Sequence, residues 1–90
     1  MSPKNRRPTH PGEVLLEEFL IPMSMTQVEL AAQLGVPVQR INTIINGKRS
    51  VSAETAIVLA GVFKTSPHFW MNLQISFDLY DAQLRLNRAA

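Results

Sequence analysis

The ninety-residue sequence contains no cysteine. Neither a disulfide framework nor a thiolate metal site can therefore be built. Charge is also sparse, since 18% of residues are Asp, Glu, Lys or Arg while 46% are hydrophobic. That balance belongs to a folded chain, not a disordered one. Long apolar runs are missing too: nothing approaches the roughly 20 consecutive apolar residues that span a bilayer, and MSPKNRRP at the start has no apolar segment behind it. No membrane partner is expected, and the protein is expected in the cytoplasm. Catalytic groupings are scarce as well. His10 and His68 lie far apart, no nucleophile has a base beside it, no glycine-rich phosphate loop occurs, and the one pair of neighbouring carboxylates is Glu17 and Glu18. We therefore expect no catalytic residue, no metal and no cofactor. His10 reads as a residue at a helix start.

The most organised stretch is MTQVELAAQLGVPVQRINTIINGKR, from Met25 to Arg49. Thr26 and Glu29 form a T-x-x-E capping box, so a helix begins at about Gln27. Val28, Ala31, Ala32 and Leu34 give that helix an apolar face, and Gly35 suits the left-handed residue that ends it. Pro37 suits the first position of a second helix that runs to Asn46, with Gly47 closing it. Ile41, Ile44 and Ile45 mark its buried side, while Gln39, Arg40, Asn42, Thr43 and Asn46 point away.

Helices are predicted on either side. Before the stretch, Thr9 is the expected N-cap and Pro11 the first-turn residue of a helix that Pro22 ends. Val14, Leu15, Leu16, Phe19 and Leu20 form its apolar face. After it, Ser52 caps a helix from Ala53 to about Phe63 that is apolar nearly all round, which predicts burial on every side. Thr65-Ser66-Pro67 punctuates the chain again and opens a last helix reaching about Leu86. On it Trp70, Leu73, Phe77, Tyr80 and Leu84 draw one stripe, and Ile75, Leu79, Ala82 and Leu86 draw a second. At about 100° per residue the two lie on nearly opposite sides. A small domain covers one of them, so the second is assigned to dimerisation.

The fold class read from this pattern is all-α, with five helices in one domain over 9–90 preceded by a basic arm at 1–8. Net charge is only +2, so placement matters more than total: Lys4, Arg6 and Arg7 lie in the arm, and Arg40, Lys48 and Arg49 lie on or just after the second helix of the organised stretch. A charge run is often just a solvated face, a reading that suits the arm as well as any other. Beside Arg40, Lys48 and Arg49, however, stand amide and hydroxyl side chains, the mixture that supplies phosphate anchors next to base-edge readers.

The two-helix stretch resembles the helix-turn-helix of lambda-repressor-like, XRE-type proteins. Ala31 lets the helices cross closely, Gly35 makes the turn and Ile41 fills the space between them. The chain more widely resembles the HigA family of antitoxins, through THPGEVLLEEFLIP at 9–22, the INGKRSVSAETAIVLA continuation of the motif, and FKTSPHFWMNLQISFDLY at 63–80. Val38 departs from phage repressors, which often carry a polar residue there, so no base contact is carried over to it. The resemblance implies a lambda-repressor-like fold, repression of the protein's own operon, and inhibition of a cognate HigB-like, ribosome-dependent mRNA-cleaving toxin.

Docked in the major groove of double-stranded DNA, the second helix would present Gln39, Arg40, Asn42 and Thr43 to base edges. Gln27 would meet a phosphate or brace a reading side chain, and Asn46, Lys48 and Arg49 would hold the backbone. A homodimer would require an inverted-repeat operator. The alternatives are a stand-alone XRE-type repressor without a toxin, or a protein-interaction module in which DNA binding is minor.

Overall fold

The computed structural model describes residues 7–89, and there it is all-helical, with five helices and no strand. Lys4 and Arg6 of the expected arm lie outside the described residues.

Helix α1 opens as an α-helical turn, Pro11–Val14, and continues without a break as π-helix over Leu15–Leu20. Its N-cap is His10, not Thr9: the His10 ring Nδ1 accepts the Gly12 N–H at 2.9 Å. Nδ1 stands as many bonds from the backbone as an asparagine side-chain oxygen does, so the ring can cap as Asn does. Pro11, with no N–H, leaves no orphan at the first position. The helix ends beside Pro22, yet Ile21 keeps helical angles, φ −63 and ψ −52. The proline therefore does not terminate it by expelling its predecessor from the α region. The Ile21 N–H reaches back five residues to the Leu16 carbonyl, and the chain turns away at Ser24, whose φ is 52.

Helix α2, Gln27–Leu34, begins where the capping box places it. The Thr26 hydroxyl accepts the Glu29 N–H at 3.0 Å, and the Glu29 carboxylate accepts the Thr26 N–H at 2.8 Å. Its inward face differs from the expected one. Val28 is 64% exposed and Ala32 is exposed, while Leu30, which the sequence reading passed over, is fully buried beside Ala31. Gly35 ends α2 in the left-handed region, φ 70, where a side chain would be strained.

Helix α3 spans Val38–Ile45, with Pro37 as its extended N-cap one residue before the expected position. Ile41 and Ile44 are each 1% exposed and wedge α3 against the body of the domain. Helix α4, Ala53–Phe63, is capped by the Ser52 hydroxyl, as expected. It is not buried on every side: Ala56, Leu59 and Ala60 face inward, but Ile57 is 60% and Val58 41% exposed. Uniform apolarity here reflects a second face left bare, because α5 and α2 cover only one side of the helix.

Helix α5, Pro67–Ala89, starts where the Ser66 hydroxyl accepts the Phe69 N–H. Its 23 residues reach about 34 Å, against about 16 Å for the 11 residues of α4. Its distal half therefore overhangs the domain. Trp70 anchors the near half, fully buried among Phe19, Phe63 and Phe69, with its indole N–H donated to the Thr65 hydroxyl at 2.8 Å. Phe77, on the same stripe, meets the His10 ring edge to face at 4.9 Å and has the Arg7 guanidinium over its ring at 5.9 Å, so it packs on the start of α1.

Candidate nucleic-acid interface

The outward face of α3 is held in place from behind by a close helix crossing. Gly12 is buried, and a Cβ built on it would stand 1.8 Å from the Ile44 carbonyl oxygen and 2.9 Å from the Ile45 Cα. Only a residue without a side chain lets α1 approach α3 this closely. Gly12 needs no unusual backbone angle, so its role is space.

On the outward face, Gln39, Arg40, Asn42 and Asn46 are exposed and Thr43 is half-buried. The three amides form a chain. Asn42 Nδ2 donates to Gln27 Oε1 at 3.3 Å, and Asn42 Oδ1 accepts from Asn46 Nδ2 at 3.2 Å. Such exposed bonds contribute little stability. Their consequence is orientation: the Asn42 amide is fixed between α2 and the end of α3, with one N–H and one oxygen lone pair still free. That is the donor and acceptor pair that matches the N7 and N6 edge of adenine. Gln27, expected to meet a phosphate or to brace a reading side chain, is here the acceptor for Asn42. Thr43 Oγ1 donates to the Arg40 carbonyl at 3.0 Å, so its hydroxyl proton is used within the helix.

Gly47, with φ 76, closes α3 as expected, and the N–H groups of Lys48 and Arg49 both turn back to the Thr43 carbonyl, at 2.9 and 3.2 Å. This holds Lys48 and Arg49 beside the outward face of α3. Among the described residues the one ion pair is Arg85 with Asp81 on α5. Arg40, Lys48 and Arg49 are exposed with no carboxylate partner among the described residues, which leaves their charge available to phosphates. Arg7, in the described part of the arm, is exposed on the α1 and α5 side.

His10 borders the same region, since a Cβ on Gly47 would sit 3.8 Å from its ring. The ring caps α1 only while Nδ1 is unprotonated. Burial lowers its pKa from the ordinary 6.5, with the Asp78 and Glu13 carboxylates pulling less strongly the other way. Between the lowered folded value and 6.5 the unfolded chain binds more protons. The stability His10 contributes is therefore complete above 6.5 and is lost as pH falls from there toward the folded value. Thermal melts should show Tm dropping below about pH 6.5, the ordinary histidine range. His10→Asn, which keeps an acceptor but does not titrate, should flatten that part of the profile. An identical slope in the variant would mean that another group causes the drop.

Gly12 and the His10 cap escaped the sequence reading. A glycine inside the first turn of a helix was a usable signal of close approach.

The helix-turn-helix family HTH_3 matches residues 16–70. A curated HTH-type transcriptional regulator of Haemophilus influenzae is 44% identical over 78 residues, covering 87% of this chain and 73% of that protein. Antitoxin HigA-1 of Vibrio cholerae is 39% identical over 90 residues, covering 100% of this chain and 85% of the antitoxin. Among solved structures, Pseudomonas aeruginosa antitoxin HigA with the higBA promoter superposes with a TM-score of 0.88 at 40% identity, covering 92% of this chain and 90% of that one.

Proposed function

We propose, because the chain belongs to the helix-turn-helix (HTH_3) family and to its HigA-like antitoxins, that it represses its own operon as a DNA-binding dimer and neutralises a HigB-like toxin. The observation that carries the DNA-binding part is the Gln27, Asn42, Asn46 amide chain on an exposed α3 face flanked by the unpaired Arg40, Lys48 and Arg49. Asn42 suits adenine and Arg40 suits guanine, while Lys48 and Arg49 suit phosphates. Gln39 and Thr43 flank the reading positions, and Asn46 braces Asn42 beside the backbone contacts.

Dimerisation rests on α5. Ile75, Leu79 and Leu86 are 49%, 66% and 67% exposed and recur at seam spacing on the overhanging helix, with Ala82 half-buried among them. The same overhang supports the domain division: helices α1 to α4 and the near half of α5 as the DNA-binding body, with the far half as the pairing segment. The toxin role rests on the likeness to antitoxins, and co-purification with the product of the adjacent gene tests it. No described helix is long and apolar enough to cross a membrane. A cytoplasmic site of action fits a regulator of this family.

Replacing Arg40 or Asn42 by Ala should weaken binding to the protein's own promoter by about 1 to 3 kcal/mol each. Their exposure means that the melting temperature should hardly move. Fluorescence anisotropy with promoter DNA and with a shuffled duplex checks this. Undiminished promoter affinity in the double variant would remove α3 as the reader.

A further inference from the structure

Val51 is 2% exposed, and its backbone N–H is donated to the Gln74 side-chain Oε1 at 2.7 Å. Gln74 is itself 4% exposed, on the first third of α5, and its Nε2 donates to Asp78 Oδ1 at 2.9 Å. Asp78 therefore fixes which way the Gln74 amide points, with oxygen toward Val51. One turn along, Phe77 packs on His10, and the His10 ring lies against Gly47. A single turn of α5 thus touches both ends of the segment from Gly47 to Val51: through Phe77 and His10 at the front, and through Gln74 at the back. Between those two ends stand Lys48 and Arg49.

We propose that Gln74 is a positioning residue for DNA binding, holding the back of the Lys48 and Arg49 loop to α5 so that both cations meet phosphates. The proposal rests on the reading of Lys48 and Arg49 as phosphate anchors. It assigns Gln74 no contact with DNA. The residue acts through the Val51 amide, the last fixed point before Ser52 caps α4. With no oxygen at position 74 the Val51 N–H has no partner in a dry setting, and the loop escapes toward water to find one.

Three proteins test this: Gln74→Leu, the pair Gln74→Glu with Asp78→Asn, and Lys48→Ala as the anchor control. Leu removes the acceptor at similar volume. The pair reverses the bond between positions 74 and 78, Asn donating to Glu, and keeps an oxygen facing Val51.

Each is measured at a temperature where circular dichroism shows it fully folded. The readouts are hydrogen exchange of the Val51 amide without DNA, and affinity for promoter DNA across a salt series. Gln74→Leu should speed Val51 exchange, weaken promoter binding about tenfold and make the log–log salt slope shallower by one to two units, as two lost phosphate contacts would. The paired variant should restore both exchange and affinity. Lys48→Ala should lose about one unit of slope, equally on promoter and shuffled DNA, with Val51 exchange unchanged.

If Lys48→Ala costs binding but folded Gln74→Leu binds with wild-type affinity and slope, the positioning role is overturned while the anchor reading stands. If Lys48→Ala itself leaves affinity and slope unchanged, the anchor reading fails and takes the proposal with it. If the paired variant stays as weak as Gln74→Leu, the acceptor is not what matters, and the proposal is likewise overturned.

Discussion

Gly12→Ala should destabilise the domain by about 3 kcal/mol or more, the upper range for overpacking, although alanine in a helix ordinarily gains about 1 kcal/mol over glycine. The opposite sign follows from what the new methyl would meet. Its three nearest atoms are the Ile44 oxygen at 1.8 Å, the Ile44 carbonyl carbon at 2.6 Å and the Ile45 Cα at 2.9 Å, all backbone. No rotamer change relieves such a contact, so α1 and α3 must separate by about an ångström or more, opening the packing of Ile41 and Ile44 behind them. The same movement displaces the end of α3, whose Thr43 carbonyl holds the Lys48 and Arg49 amides. Denaturant unfolding should show the loss, and promoter binding should fall even where the variant is folded. A variant as stable as the wild type would mean that the two helices do not cross this closely.

Leu79→Glu has the second large effect, and in the opposite place. Leu79 is 66% exposed on the overhanging half of α5, so the substitution should leave the single chain folded. In the proposed dimer, however, each new carboxylate would face a copy of itself across the two-fold axis, in an apolar seam with Ile75 and Leu86. The expected product is a folded monomer. A dimer sets two reading helices about 34 to 36 Å apart, one turn of DNA, and binding the second half-site is then intramolecular. Losing that link should weaken promoter binding by about a hundredfold or more. Sedimentation at micromolar concentration, with circular dichroism alongside, decides it. A monomeric wild type, or a variant that remains dimeric, would assign the α5 seam to another partner.

Local chemistry made much of this fold readable from sequence. The Thr26 and Glu29 box, Gly35, Gly47, Ser52 and Ser66 each act within a few residues of themselves, and each sits at the helix end expected for it. The outward set on α3 was legible for the same reason, since the buried Ile41 and Ile44, with half-buried Ile45 beside them, fix which side faces in. What escaped depends on neighbours distant in sequence. Gly12 matters because of Ile44, and Gln74 because of Val51, and no periodicity in either segment encodes those meetings. Burial of Leu30 in place of Val28 is a choice of helix rotation that the short α2 pattern left open. The bare Ile57 and Val58 face of α4 shows the limit of reading burial from apolarity: the residues say that a face avoids water, not which chain covers it.

The most direct test of α3 as a DNA reader is a titration of the purified protein against the DNA immediately upstream of its own coding sequence. A shuffled duplex of equal length and composition is measured at the same salt. With Asn42 oriented by Gln27 and Asn46, and with Arg40 free beside it, the promoter should bind about a thousandfold tighter than the shuffled duplex. Equal affinity for the two would contradict the assignment, because charge alone binds any sequence.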